Sequence, residues 1–375
     1  MSRFPLLAIL VAAFCASTPA RAQSAALVEA PPLTLPGQTD GNSPLFWFGG
    51  KLHVFTSIGW PQRLSRADNL FAAWDSERVD TRDFRNRTLW VESALVDEES
   101  VVCAWYHHEP GGMYEGNLLT APKIGAAVSF DGGRTLLDLG IILESGDEPD
   151  PAARNGFFTG GHGDFSVVAD RDRQFLYFFF TNYGGAPESQ GICVARLAYA
   201  DRHAPRGKVR KFHRGTWDEP GLGGACTPIF RVTRDWSNPD PEAFWGPAVH
   251  WNTHLGRWVM LLNSAGGEPG WSQQGIYVAY GADLAQPGTW SAPALLLPRS
   301  AIPGWSTFYP QVCGLEEGDN DSVAGETARF FLHGTSAWEI RFTRPPEDAA
   351  APPGPPATPP SRTTPRPVDR DTPDK

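Results

Sequence analysis

The chain has 375 residues, 41% of them apolar and 12% aromatic, and a formal net charge of −10. An acidic balance with one short basic cluster, GKVRKFHR (207–214), argues against a nucleic-acid partner. Its 39 Gly and 35 Pro, set among 14 Trp and 22 Phe, fit many tight turns between aromatic strands and leave little room for helices.

In chain order, the first element is an export signal. Met-Ser-Arg is followed by the apolar run PLLAILVAAFCA and a small-x-small site ending at Ala22, which predicts a cleaved signal peptide over 1–22 and a secreted or periplasmic protein. The run is shorter than the roughly 20 apolar residues of a membrane span. Bulky Phe14 before Cys15 disfavours a lipid anchor. Residues 23–35 read as a linker. Then, from 36 to 343, short β-branched and aromatic runs alternate with Gly, Pro, Asp and Asn clusters, the pattern of an all-β domain. From Arg344 to Lys375 the chain is Pro-rich and almost free of large apolar residues, which predicts a disordered, extended tail.

The runs between 36 and 343 repeat an order: a special residue, a first strand, a turn, and a second, more apolar strand. Five such modules open at DGNSPLFWFGGKLHVFTS (40–57), WVESALVDEESVVCAWYHHE (90–109), GDFSVVADRDRQFLYFFFTNYGG (163–185), WGPAVHWNTHLGRWVMLLN (245–263) and YPQVCGLEEGDNDSVAGETARFFLHGTS (309–336). Their heads are Asp40, Glu92, Asp164, Trp245 and Tyr309, at intervals of 52, 72, 81 and 64 residues. Segments 125–143 and 275–297 supply third and fourth strands. Repetition on this scale predicts a single-domain, five-bladed β-propeller. Four cysteines remain after Ala22, namely Cys103, Cys193, Cys226 and Cys313; their spacing excludes a zinc ribbon, and disulfides and buried thiols both stay open.

First strands line a propeller's axis, so the strand heads converge, and three of the five are carboxylates. Asp40, Glu92 and Asp164 at one channel mouth are the equipment of glycoside hydrolysis, which needs one carboxyl as base or nucleophile and one as acid. The plainer reading of Asp40 and Asp164 is an Asx turn entering a strand. In WYHHEPGG (105–112), His107 and Glu109 alternate to one side and His108 to the other, offering sugar contacts or, at Glu109, proton chemistry. His162, Trp245, His250 and Tyr309 are further candidates for sugar binding. HHE lacks helical spacing, so no metal site is expected, and no cofactor motif is present.

DGNSPLFWFGGKLHVFTS resembles the opening blade of glycoside hydrolase family 43 and its relatives. That resemblance implies a five-bladed glycosidase in which Asp40 is the base and Asp164, in GHGDFSVV, tunes the acid. The sequence departs from the family where the acid is expected: a Glu before Gly-Pro is replaced by Trp245, before Gly246-Pro247. Glu92, heading an apolar strand that would desolvate it, is the first candidate for the missing acid, and Glu109 the reserve. SFDGGRT (129–135) is similar to the Asp-box of sialidases, with Ser129, Asp131, Gly133 and Thr135 matched and Leu136 in place of Trp. The expected partner is an oligosaccharide or polysaccharide and the expected state a monomer. A propeller that binds carbohydrate without cleaving it, or one that serves as a protein-interaction platform, remains the alternative.

Overall fold

The computed structural model describes residues 24–344, apart from 38–39, 57–61, 83, 85–88, 112, 114–117 and 305–306. The leader and the tail from 345 lie outside the described residues. Gln23–Thr343 is one compact unit, all-β apart from three single-turn 3₁₀ segments among the described residues.

Five sheets form the five blades of a propeller. The first blade holds Leu45–Phe48, Lys51–Phe55, Arg63–Ala67 and Asp75–Arg78, and the second Leu89–Val96, Val102–His108, Lys123–Ser129 and Leu137–Leu143. The third runs from His162–Ala169 through Phe175–Asn182, Gly191–Ala198 and Arg210–His213 to Thr216–Pro220, with Phe230–Arg231 also pairing Gly191–Ala198. In the fourth, Ala243–Asn252 is followed by Arg257–Ala265, Gln273–Gly281 and Ala294–Pro298. The fifth is Pro310–Gly314, Thr327–Leu332 and Thr335–Thr343, completed by Ser24–Thr34.

That last pairing corrects the sequence reading of 23–35 as a linker. Ser24 to Glu29 pair antiparallel with Thr343 to Trp338, and Leu33 and Thr34 with Ser336 and Thr335. The segment closes the ring by adding the chain's first strand to its last blade. Two prolines, Pro31 and Pro32, hide it in the sequence, and they fall in the interruption of register between Glu29 and Leu33, where no ladder donor is needed.

Why the second strands read as continuous apolar runs follows from strand alternation. Both faces of each blade are covered, so consecutive side chains enter different cores. Val101, Cys103 and Trp105 pack against the third blade with Phe178 and Phe180, whereas Val102, Ala104 and Tyr106 pack against the first with Phe46 and Phe55. Tyr177 and Phe179 turn the other way, toward Val249 and Met260 of the fourth blade. Two further cores lie between the fourth and fifth blades and between the fifth and first. Each fully buried Phe or Leu contributes roughly 1.5–3 kcal/mol. A sixth cluster, Phe158, Tyr183, Trp236, Trp245, Trp271 and Tyr309 among its members, belongs to loops and strand heads at one end of the axis.

The SFDGGRT turn joins the third and fourth strands of the second blade. Ser129 Oγ donates to Asp131 Oδ1 at 2.7 Å and accepts from Gly133 N–H at 2.8 Å, and Asp131 Oδ1 accepts from Thr135 N–H at 2.9 Å. Leu136 then drops, fully buried, into the core between the first two blades.

Candidate active site

The five strand heads meet at one end of the axis. Asp40 precedes the innermost strand of the first blade, and Tyr309 OH donates to its Oδ1 at 3.2 Å. Glu92 Oε2 accepts from Phe165 N–H at 2.9 Å, which ties the second blade's head to the third's. Tyr183 OH donates to Asp164 Oδ2. Trp245 packs edge-on against Tyr309, with centroids 5.5 Å apart.

Local backbone irregularities aim these side chains. The first strand of the second blade breaks register between Val91 and Ser93, that of the third between Gly163 and Phe165, and that of the fourth between Trp245 and Ala248. The residues left over are Glu92, Asp164, and Gly246 with Pro247. An extra residue in one strand turns its side chain out of the ladder. For Glu92 and Asp164 that direction is toward His107. Asp164 carries a left-handed φ of +42°, a strained conformation for a residue with a Cβ. Gly41, at φ +136°, has no alternative: a Cβ there would lie 2.7 Å from Glu92 Oε1.

The cluster sorts by access to solvent. Asp40 is exposed at the mouth and Glu109 retains 29% of its side-chain surface. Glu92, Asp164 and His107 are buried, with relative exposures of 2%, 4% and 3%. His107 stands between the layers, with Nδ1 3.3 Å from Glu92 Oε1 and Nε2 3.4 Å from Glu109 Oε1. Asp164 N–H also approaches Nδ1 at 3.3 Å, so the tautomer decides which neighbour that nitrogen serves.

The charges follow from this packing. Burial pushes the Asp164 carboxyl up to about 7; the His107 charge opposes the rise, and the Glu92 carboxylate adds to it. Burial also raises Glu92, against the hydrogen bond from His107. Asp40 is raised as well, first by the protein around it, against the Tyr309 hydrogen bond and with the charge of Glu109. For His107 burial opposes protonation, but Glu109, Glu92 and Asp164 together carry it well above an ordinary imidazole. Ligand atoms of Glu92, His107 and Asp164 lie within 4.8 Å of one another, a spacing that suits a metal ion.

The remaining candidates from the sequence lie away from the mouth or form its wall. His250 is five residues beyond Trp245, roughly 16 Å along an extended strand, and its ring lies against Phe342 between the fourth and fifth blades. Burial depresses it to about 3, so it is a neutral core side chain away from the mouth. His162 is likewise buried, packed on Phe180 at 4.6 Å and held far below the ordinary value by burial and then by Lys211. His108 is buried on the opposite face of its strand from His107. Trp245 is 2% exposed among Trp271, Phe308 and Tyr309, a wall residue without open surface for a sugar ring. Tyr309 is buried too and acts on Asp40. Tyr183 was not singled out in the sequence. Its only signal there is an aromatic ending the long strand FLYFFFTNY.

Fold and site together define a five-bladed propeller with a graded carboxylate cluster at one end of its axis. No family model matches the chain, and no curated protein matches it. Among solved structures it is similar to an exo-β-1,3-galactanase from Clostridium thermocellum, at 10% identity and TM-score 0.48, over 83% of this chain and 62% of that one. It is also similar to an endo-arabinase from Bacteroides thetaiotaomicron, at 12% identity and TM-score 0.48, over 82% of this chain and 95% of the other. A glycoside hydrolase family 43 enzyme from Xanthomonas citri has 16% identity and TM-score 0.47, over 84% and 90%. The chain thus spans less than two thirds of the galactanase's length. Likenesses this distant carry no chemistry to this chain.

Proposed function

We propose that this protein is a secreted or periplasmic glycoside hydrolase acting on an oligosaccharide or polysaccharide with inversion. The observation that supports this reading is the layered carboxylate cluster: two acids with solvent access, Asp40 and Glu109, backed by two buried ones and His107. Asp40 is the base. Ionised, it takes a proton from a water attacking the anomeric carbon, and its raised pKa makes it the stronger base. The acid role passes from Glu92 to Glu109. With 1% of its side chain exposed and Gly41 packed over it, Glu92 cannot touch a glycosidic oxygen. Glu109 can, and His107 Nε2, 3.4 Å from its Oε1, positions it at the mouth. Inverting geometry needs the two carboxyls roughly 6.5–9.5 Å apart, leaving room for the water.

A second reading, carbohydrate binding without cleavage, is favoured by Trp245 in place of the acid expected from the resemblance. One experiment separates them. The purified protein is screened against aryl-glycosides and polysaccharides for hydrolysis and, in parallel, for binding by calorimetry. Hydrolysis abolished by Asp40→Asn supports the enzyme. Binding without turnover supports the second reading, and neither result on any carbohydrate would sink both.

A further inference from the structure

Two of the cysteines lie together, and neither belongs to the site above. Cys193 is in the third strand of the third blade, Gly191–Ala198, and Cys226 in the segment returning from Thr216–Pro220 to Phe230–Arg231. Both are buried thiols. Cys193 Sγ approaches the Ser189 carbonyl oxygen at 3.8 Å, and Cys226 Sγ approaches the same oxygen at 4.0 Å. Burial, and next the Cys226 thiol, pushes the Cys193 thiol well above its ordinary range. The other two cysteines are differently placed. After burial, the strongest influence on Cys103 is the Asp97 carboxylate, and the Cys313 thiol turns to the Gly314 carbonyl at 3.5 Å.

Lys211 completes the group. It is fully buried, and its ammonium donates to the carbonyls of Glu144 at 2.7 Å and Gly224 at 2.6 Å. Those bonds anchor the turn leading into Cys226. Its charge lies within reach of both sulfurs, and the form that attacks a disulfide is the thiolate.

We propose that Cys193 and Cys226 are a redox pair that closes into an intramolecular disulfide when the chain meets a disulfide oxidant, such as oxidised glutathione or an exchange protein. One thiol gives up its proton, and its sulfur attacks the oxidant's disulfide, expelling one oxidant thiolate. The second thiol, deprotonated in turn, attacks the resulting mixed disulfide and expels the other. The chain loses two protons and two electrons, and the oxidant leaves as two thiols. The new bond fixes the blade's third strand to the segment that covers Lys211, and it crosslinks positions 33 residues apart, by subtraction. Closing such an interval restrains the unfolded chain and stabilises the folded one.

The test uses residues 23–375, the chain without its leader, which holds four cysteines. Buried thiols exchange slowly in the folded state, so reduced protein is refolded from urea with oxidised glutathione, and circular dichroism verifies the return of β structure. It is then unfolded, alkylated and digested for mass spectrometry. The expected result is alkyl label on Cys103 and Cys313 alone, a linked peptide joining Cys193 to Cys226, and label on all four cysteines after reduction. The urea midpoint of the wild-type protein should fall on reduction, while that of Cys226→Ser should not move. Label on all four cysteines of the refolded, unreduced protein overturns the proposal, as does Cys193 linked to Cys103 or Cys313. Should refolding fail, the same count on protein exported through its own leader into an oxidising compartment decides in the same terms.

Discussion

Replacing Asp164 with Asn should flatten the dependence of stability on pH. In the folded protein burial lifts this carboxyl from an ordinary 3.8 to about 7, while the unfolded chain keeps the ordinary value. Between those values the folded state holds a proton that the unfolded state has released. Stability therefore falls as pH rises through the interval, by about 1.4 kcal/mol per pH unit and about 4 kcal/mol in all. The Asp164 contribution is level below the interval and again above it. His107 acts in the same direction: its raised pKa adds stability that is present below the ordinary imidazole value and lost as pH rises through the folded one. Asn cannot ionise but can still accept the Tyr183 hydroxyl through its amide oxygen, and it removes one of the carboxylates facing His107. Urea unfolding from about pH 5 to about pH 8 checks this. The wild type should lose roughly 3 kcal/mol more than Asp164→Asn over that range. Parallel profiles would refute the buried, proton-holding carboxyl.

If the glycosidase reading holds, Glu109→Gln should lower turnover by orders of magnitude on substrates with poor leaving groups and much less on activated aryl-glycosides; equal losses on both would argue against Glu109 as the acid. Glu92→Gln should instead lower turnover on both alike, since it acts through Phe165 and His107 and not on the leaving oxygen. Deleting 24–34 leaves Thr335–Thr343 an open edge strand and should lower the melting temperature and promote aggregation, read by scanning calorimetry and light scattering. Leu136→Ala, in the core between the first two blades, should cost about 2–5 kcal/mol in urea unfolding without altering Km.

The sequence by itself determined the class and the count of blades. Runs such as VVCAWYHH and FLYFFFTN, each followed by Gly or Asn turns, recur because every blade presents both faces to neighbours, and that requirement is written residue by residue. The convergence of Asp40, Glu92, Asp164, Trp245 and Tyr309 also follows from order along the chain, since each stands at or beside the head of an innermost strand. What the sequence could not set was the depth of each side chain. Glu92 and Asp40 read alike as carboxylates at module heads, yet one sits at a register break and is sealed behind Gly41, while the other precedes its strand and is open. His250 looked available for the same reason: alternation gives it a face but not the identity of the blade that covers that face. The closing strand at 24–34 was hidden by its prolines, and its role depends on a partner 300 residues away. Burial, register and distant pairing are properties of the closed ring, and only tertiary structure supplies them.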